Sequence, residues 1–300
     1  MNHPYVNSQP NAPFSPNVIS DLSLWLDGSD PLNTGIAPAT GTPISTWFDK
    51  STNSYNATQT TTSNQPTFHS GGGVYFHAAG PNSTFLNTSI PVGNSTTCFF
   101  VTSTSSVPNS YLYYSGNNTE IIMNFSGVPI KSFAIGGDDG IFLNAGSPIP
   151  PINLYNFTRT GAVSKSGYYM GSNAFSSPAM VYSPAVIYSL SFSNSPFDGV
   201  IYEMIIYNRA ITDAERQKVE GYLAWKWGIN TSLPVSHPYS TSPPISTSWK
   251  NIVNLGASAA NTSYTPANST LWSNPAPTTV ANAIDRLATA INTINGSLLL

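Results

Sequence analysis

Short β-prone runs separated by clusters of glycine, proline, serine and asparagine fill most of residues 18–207 and limit what this chain can fold into. Almost nothing in this stretch has helical periodicity. Runs of this length and spacing are typical of stacked antiparallel sheets that each bury one face. The pattern predicts an all-β fold, a two-sheet antiparallel jelly-roll sandwich. The runs are LSLWLD, VYFHA, TCFFVTS, YLYYS, IIMNFS, SFAIGG, IFLNA, SGYYMGS, MVYSPAVIYSLSFS and VIYEMIIYN.

One helix follows the last of these runs. Thr212 and Glu215 form the capping-box pattern T-x-x-E, and Gly228 stands at the expected stop, with Pro234 beyond it. These signals predict a packed helix over residues 213–227. Its apolar stripe consists of Val219, Tyr222, Leu223 and Trp227. The charged residues that fall mainly off this stripe, on the side expected to be exposed, are Arg216, Lys218, Glu220 and Lys226.

The strand before this helix carries one carboxylate between apolar residues. Strict alternation places Glu203 on the same face as Ile201 and Ile205, and both faces are largely apolar, as expected of a central strand. An unpaired buried carboxylate is costly, so Glu203 needs a partner. Arg209 is the candidate that the sequence offers.

The two ends of the chain differ from the middle. Residues 1–17 are rich in proline and asparagine and predict an extended N-terminal arm. The β-rich domain is expected over residues 18–240. Residues 241–277 return to serine, threonine and proline and predict a linker. Residues 278–300 are interpreted as a separate C-terminal helix, over about 279–296.

This last segment carries an apolar repeat with spacings of four and three. The repeat is typical of a coiled-coil seam and indicates an assembly helix. A seam of about three heptads is too short to be stable alone, so the helix either associates with its own copies or docks back on its own domain. Isoleucine at both kinds of seam position favours a homotrimer. The seam residues are Val280, Ile284, Leu287, Ile291, Ile294 and Leu298.

Charge and hydropathy exclude several classes of protein. Only 8% of residues are charged, against about 25% in ordinary soluble domains, and the net charge is −3. Basic residues are scattered, so no nucleic-acid partner is expected. No signal peptide and no membrane span are recognisable in the sequence. The single cysteine, Cys98, lies in an apolar run and predicts a buried, inert thiol.

Four segments together carry a resemblance to a known family. They are LWLDGSD at 24–30, STWFDKS at 45–51, QPTF at 65–68 and the segment from Phe197 to Tyr239, which contains YNRAITDAERQKVEGYLAWKWG. Their sequences resemble the concanavalin A-like lectin/glucanase superfamily in its laminin G-like jelly-roll form, over about residues 17–245. The nearest similarity is to structural proteins of large double-stranded DNA viruses. This resemblance implies a jelly-roll domain and a virion setting.

Catalytic chemistry is poorly supported by the sequence. Enzymes of this superfamily carry an E-x-D-x-x-E arrangement on a strand, because retaining glycoside hydrolysis needs two carboxylates about 5 Å apart. The chain has no such motif. Its four glutamates are Glu120, Glu203, Glu215 and Glu220, and the last two belong to the helix expected to be exposed. No enzymatic activity is therefore expected.

Two kinds of binding site remain open. No cofactor is expected, although Asp138 and Asp139 in the turn GGDDG are candidates for Ca²⁺, which related domains often hold with loop carboxylates. Aromatic rings beside amides and hydroxyls are the usual features of a sugar site. The candidates for carbohydrate binding are Tyr111, Tyr113, Tyr114, Tyr168 and Tyr169. Each of these tyrosines has the alternative of packing within the sandwich.

The leading hypothesis is a non-enzymatic virion structural protein, a minor capsid, vertex or fibre-type component whose partners are other capsid proteins. It would be made in the host cytoplasm and located in the capsid. The first alternative is a surface lectin that attaches particles to host glycans. The second is an atypical glycoside hydrolase, in which Glu203 would act with an acid from another strand.

Overall fold

The computed structural model describes residues 13–78, 83–93, 95–103, 110–114, 121–123, 134–135, 151–161, 164–178, 185–191 and 196–245, together with 278, 283 and 286. Residues 15–244 form one compact unit, and residues 1–14 with 245–300 form a second. Several predicted features lie outside the described residues: most of the N-terminal arm, Asp138 and Asp139, nearly all of the linker, and the seam residues Val280, Ile284, Leu287, Ile291, Ile294 and Leu298.

The all-β prediction is confirmed. The described residues form fifteen strands and the helix α1, Asp213–Lys226. The strands are β1 Leu22–Asp27, β2 Thr46–Trp47, β3 Ala57–Thr58, β4 Thr67–Phe68, β5 Val74–Phe76, β6 Leu86–Val92, β7 Thr96–Thr102, β8 Ser110–Tyr114, β9 Ile121–Met123, β10 Ala134–Ile135, β11 Asn153–Thr160, β12 Ser164–Tyr169, β13 Ser172–Pro178, β14 Ala185–Leu190 and β15 Gly199–Tyr207.

These strands form two antiparallel sheets. The eight-stranded sheet has the order β13-β12-β11-β7-β15-β5-β4, with β1 also paired to β15, and the seven-stranded sheet has the order β10-β9-β8-β14-β6-β3-β2. One apolar core contains residues of both, such as Phe100 and Met204 from the first and Trp47 and Ile187 from the second. The molecule is therefore an all-β sandwich.

Strand β15 is central and buried along its whole length, as its apolar sequence predicts. The predicted strict alternation of side chains between the two faces is nevertheless wrong at the start of β15. The pairing with β7 shifts between Ile201 and Glu203, which makes Tyr202 the extra residue of a β-bulge. Ile201 consequently lies in the core between the sheets with Met204, while Glu203 lies on the outer face, where α1 packs.

Helix α1 begins as the sequence predicts and ends one residue earlier. Thr212 caps it, with both hydrogen bonds of the capping box to Glu215 present. Gly228 has a φ of +69° just beyond the end, the left-handed conformation that glycine adopts without strain. Among the described residues, no helix is both long and apolar enough to span a membrane.

Candidate functional site

A buried cluster of carboxylates, lysines and aromatic side chains lies on the outer face of the eight-stranded sheet. We call it the Glu203 cluster. Asp27 of β1 and Glu203 of β15 are directly opposed in the antiparallel pair. Helix α1 places Lys226, its last residue, above both of them. The cluster consists of Trp25, Asp27, Asp30, Lys50, Glu203, Tyr222, Lys226 and Trp227.

The two carboxylate oxygens of Glu203 accept three hydrogen bonds and form one ion pair. Oε1 accepts from Trp25 Nε1 at 2.7 Å and from the Tyr222 hydroxyl at 3.0 Å. Oε2 accepts from Trp227 Nε1 at 2.8 Å and lies 2.8 Å from Lys226 Nζ. Glu203 is fully buried, so these donors replace all of the water that it loses on folding.

The predicted partner of Glu203 was wrong. Arg209 forms an ion pair with Glu215, with 2.7 Å between Nη2 and Oε1, and its Nε lies 3.3 Å from Asp21 Oδ2. Arg209 follows the end of β15 and lies beside the start of α1, where the capping carboxylate of Glu215 is available. Lys226, which the helical pattern placed among exposed residues, is the cation that reaches Glu203.

Two lysines neutralise the carboxylates around Asp27. Lys226 Nζ lies 2.7 Å from Asp27 Oδ1, and Lys50 Nζ lies 3.2 Å from Asp27 Oδ2 and 3.0 Å from Asp30 Oδ2. Ser29 donates to Asp27 Oδ1 from both its amide and its hydroxyl. Each Asp27 oxygen therefore faces a different ammonium group.

Burial and nearby charges shift the pKa values of Glu203 and Asp27 in opposite directions. Burial raises the pKa of Glu203, and the charge of Lys226 only partly offsets it. Burial also acts to raise the pKa of Asp27, but the charge and hydrogen bond of Lys226, with Ser29 and Lys50, outweigh it and hold this pKa at about 2. Burial raises the pKa of Tyr222 well above its usual value. Tyr222 therefore keeps its proton at neutral pH and donates a hydrogen bond to Glu203.

Three of the four segments that carry the family resemblance meet at this cluster. LWLDGSD supplies Trp25, Asp27 and Asp30, and STWFDKS supplies Lys50. The helix supplies Tyr222 and Lys226, and Trp227 follows at its cap. Sequence reasoning identified Glu203 as a residue in need of a partner but missed the cluster. The available signal was the spacing of Tyr222, Lys226 and Trp227, which places them around one end of the helix.

Gly28 lets the backbones approach beside this cluster. A Cβ atom at this position would lie 2.3 Å from the carbonyl oxygen of Tyr202 and 2.6 Å from Cα of Gly73. Both neighbours are backbone atoms that cannot move aside cheaply. The glycine after Asp27 is therefore required for the packing of β1 against β15.

A second buried ionic cluster lies on the other side of α1. Glu220 is fully buried and pairs with Arg216 at 2.7 Å and with His237 Nε2 at 3.1 Å. The prediction that Arg216 and Glu220 are exposed was wrong. The segment around His237 packs on this side of the helix, with Tyr239 so close to Gly221 that a Cβ atom there would lie 2.5 Å from it. The helix is therefore covered on more than its apolar stripe.

The predicted sugar-binding tyrosines do not form one described platform. The guanidinium of Arg216 covers the ring of Tyr168, with 3.6 Å from Cζ to the ring centroid. Tyr169 donates to Asn153 Oδ1 at 2.9 Å, and its ring lies 5.5 Å from that of Tyr155. Tyr111, Tyr113 and Tyr114 lie on β8, and their side chains are outside the described residues. Carbohydrate binding by these residues stays a prediction.

Cys98 is buried as predicted, and burial raises the pKa of its thiol to about 12, which makes it unreactive at neutral pH. Within the described ranges, no group of three or more histidine, cysteine, aspartate or glutamate residues could hold a metal ion. The Ca²⁺ candidates Asp138 and Asp139 lie outside those ranges.

Comparisons with known proteins give weak similarities of fold. No family model and no curated protein matches the chain. Trypanosoma rangeli sialidase aligns with a TM-score of 0.46 and 14% identity, over 69% of this chain and 33% of that protein. An arabinofuranosidase complexed with arabinofuranosyl-alpha-1,2-xylobiose gives 0.46 and 14%, over 61% and 51%. The binding domain of botulinum neurotoxin serotype D/C VPI 5993 gives 0.46 and 12%, over 70% and 53%. The chain thus spans a third to about half of these proteins, and the similarity identifies no family and no shared activity.

Proposed function

We propose that this protein is a non-enzymatic structural component of a virion, of the minor capsid, vertex or fibre type, in which the sandwich serves as a rigid body. The resemblance of its four sequence segments to viral structural proteins suggests the setting. The observation that carries the non-enzymatic part is the pairing of Glu203, whose two oxygens accept three hydrogen bonds and form one ion pair with side chains of the protein itself.

The same geometry weighs against the glycoside hydrolase alternative. Asp27 is an acid from another strand opposite Glu203, as that alternative requires. Lys226 Nζ, however, lies within 2.8 Å of both carboxylates and occupies the space between them. A retaining glycosidase needs a free nucleophile and room for a sugar between its two carboxyl groups. The described cluster holds both carboxylates in structural hydrogen bonds.

A surface lectin is the second candidate, and one exposed aromatic side chain favours it. Tyr188 of β14 is 51% exposed, whereas nearly all other large aromatic side chains in the described residues are buried or half-buried. Asn87 and Ser89, on the paired strand β6, are also exposed. A solvent-facing ring beside amide and hydroxyl groups is the arrangement that binds sugars by stacking and hydrogen bonding. Glycan-array binding that disappears in Tyr188→Ala would support this candidate.

Cross-linking mass spectrometry on intact particles of the source virus tests the leading proposal. Lys50 and Lys226 are held in ion pairs, so an amine-reactive reagent is expected to react first at less constrained amines such as that of Lys218. Cross-links from this protein to other capsid proteins are the expected result. Purified particles that lack the protein would overturn the proposal and move the lectin candidate ahead.

A further inference from the structure

The Glu203 cluster contains the groups needed to form an amide bond between two side chains. Lys226 Nζ lies 2.7 Å from Asp27 Oδ1 and 2.8 Å from Glu203 Oε2. A nitrogen at this distance from a carboxyl oxygen is about 3.5 Å from the carboxyl carbon, close to the separation of a near-attack conformation. An amine, an acyl acceptor and a second carboxyl group that can carry protons therefore meet at one point.

The three groups are largely shielded from solvent. Glu203 is fully buried, and the side chains of Asp27 and Lys226 are 8% and 19% exposed. The rings of Tyr222 and Trp227 are centred 5.4 and 5.3 Å from Nζ, and the indole of Trp25 is hydrogen bonded to Glu203. Burial raises the pKa of Glu203, which makes this carboxylate a stronger proton acceptor.

We propose that Lys226 and Asp27 form an intramolecular isopeptide bond, with Glu203 as the proton carrier. The inference goes beyond the proposed function and does not depend on it. The chain has a single cysteine and so no internal disulfide. An amide between residues 27 and 226 would instead tie the first strand covalently to the end of α1 and enclose β2–β15 in one loop.

The reaction balances without any further reagent. The ammonium of Lys226 gives one proton to Glu203, which passes it to Oδ1 of Asp27, and the neutral amine attacks Cγ of the resulting carboxylic acid to form a C–N bond. A second proton then passes from the nitrogen to Oδ1. The Cγ–Oδ1 bond then breaks, and Oδ1 leaves as water. One ammonium and one carboxylate thus become one amide and one water molecule, and Glu203 returns to its initial state.

The hydrogen bonds identify Asp27, rather than Glu203, as the acyl acceptor. Asp27 Oδ2 faces the ammonium of Lys50 at 3.2 Å, which would stabilise the negative charge that forms on this oxygen during attack. Ser29 donates to Oδ1, the oxygen that leaves. Glu203 is instead held by Trp25, Tyr222 and Trp227, neutral donors that fix its position while it exchanges a proton with Lys226.

Mass spectrometry of the purified full-length chain tests the bond. The intact mass is expected to be one water, about 18 Da, below the mass of the sequence. Lys50 is the first tryptic site in the chain, and an amide at Lys226 blocks cleavage there, so the next site is Lys250. The expected product is peptide 1–50 joined to peptide 219–250, with fragment ions that assign the bond to Asp27 and Lys226.

Several other results of the same measurement would overturn the proposal. A succinimide at Asp27-Gly28 loses the same mass but leaves peptide 1–50 unjoined. A bond from Lys226 to Glu203, or from Lys50 to either aspartate, would contradict the assigned roles. A wild-type chain of unmodified mass with normal cleavage after Lys226 would also refute the bond, and this measurement needs no variant to fold.

Two variants test the roles of the side chains. Lys226→Arg keeps the positive charge and is expected to abolish the joined peptide completely. Glu203→Gln keeps Asp27 and Lys226 in place but removes the proton carrier, and the rate at which the joined product appears is expected to fall at least about 100-fold. Folded Glu203→Gln protein that forms the bond at the wild-type rate would overturn the role of Glu203.

Discussion

Asp27 and Glu203 lie directly opposite each other on β1 and β15, and one ammonium group, Nζ of Lys226, is within 2.8 Å of an oxygen of each. Two carboxylates this close would repel each other without that cation. The end of α1 therefore completes the pairing of two strands. Changes at these residues are therefore expected to alter the stability of the fold.

Glu203→Ala is expected to lower the free energy of unfolding by about 3–5 kcal/mol, because it leaves the half-buried Lys226 and two half-buried indole donors without their acceptor. Urea denaturation measures the change. The control is Asp213→Ala, whose carboxylate pairs with Arg216 but is 79% exposed. That variant should lose less than about 1 kcal/mol. Similar losses in the two variants would mean that the Glu203 cluster contributes little.

Gly28→Ala is expected to destabilise the sandwich by about 3 kcal/mol or more, because the added methyl group would collide with the backbone of Tyr202 and Gly73. Thermal unfolding followed by circular dichroism would detect this loss. Gly71→Ala is the matched control, since its Cβ atom meets only the ring of His69, at 3.4 Å. An unchanged unfolding midpoint in Gly28→Ala would contradict the close approach of the strands.

Tyr168→Leu is expected to lower the free energy of unfolding by about 1–2 kcal/mol, because the ring that covers the guanidinium of Arg216 is lost. Tyr188→Leu, at a ring that is 51% exposed, should change stability little. Chemical denaturation compares the two variants. If Tyr168→Leu lost glycan binding at unchanged stability, Tyr168 would instead belong to a sugar site.

Stability is expected to fall in acid because of Glu215. Hydrogen bonds from Arg209, with smaller contributions from Thr212, outweigh burial and hold the pKa of Glu215 at about 2, below its ordinary value of 4.5. A depressed pKa stabilises the folded state above the unfolded pKa, and this stability is lost as the pH falls through the folded pKa. Unfolding midpoints should therefore drop between about pH 4.5 and pH 2.

The Glu215→Gln variant separates this effect from general acid denaturation. It should lose stability at pH 6 and show a shallower decline between pH 4.5 and pH 2. A free Asp27 carboxylate adds a decline of the same sign, whereas Glu203, whose pKa is raised, contributes stability at low pH that is lost as the pH rises. Identical pH profiles in the wild type and in Glu215→Gln would contradict the assignment.

The features predicted well from the sequence are those with local signals. The capping box of Thr212 and Glu215 and the stop at Gly228 lie within a few residues of the helix that they bound. The apolar content of each β-prone run likewise indicates that the run is a buried strand. The all-β sandwich followed from these signals without knowledge of any long-range contact.

The candidate site could not be predicted in the same way because its contacts are distant in sequence. The bulge at Tyr202 depends on pairing with β7, and it reverses the face assigned to Ile201. Lys226 and Glu220 were treated as exposed because a helical stripe describes only one covered side. Packing from the segment around His237 buries Glu220, contact with β1 covers most of Lys226, and no local pattern encodes that packing.

The pairing of β1 with β15 also sets a condition on synthesis. Trp25 and Glu203 are 178 residues apart in the chain, yet their side chains are hydrogen bonded. At about 5–20 residues per second, the ribosome needs roughly 10–40 s to make the strand that pairs with β1. During that time the apolar β1 of a nascent chain can contact the segment at Asp49 and Lys50 but lacks β15. High-level production is therefore expected to depend on chaperones that shield the N-terminal strand until β15 emerges.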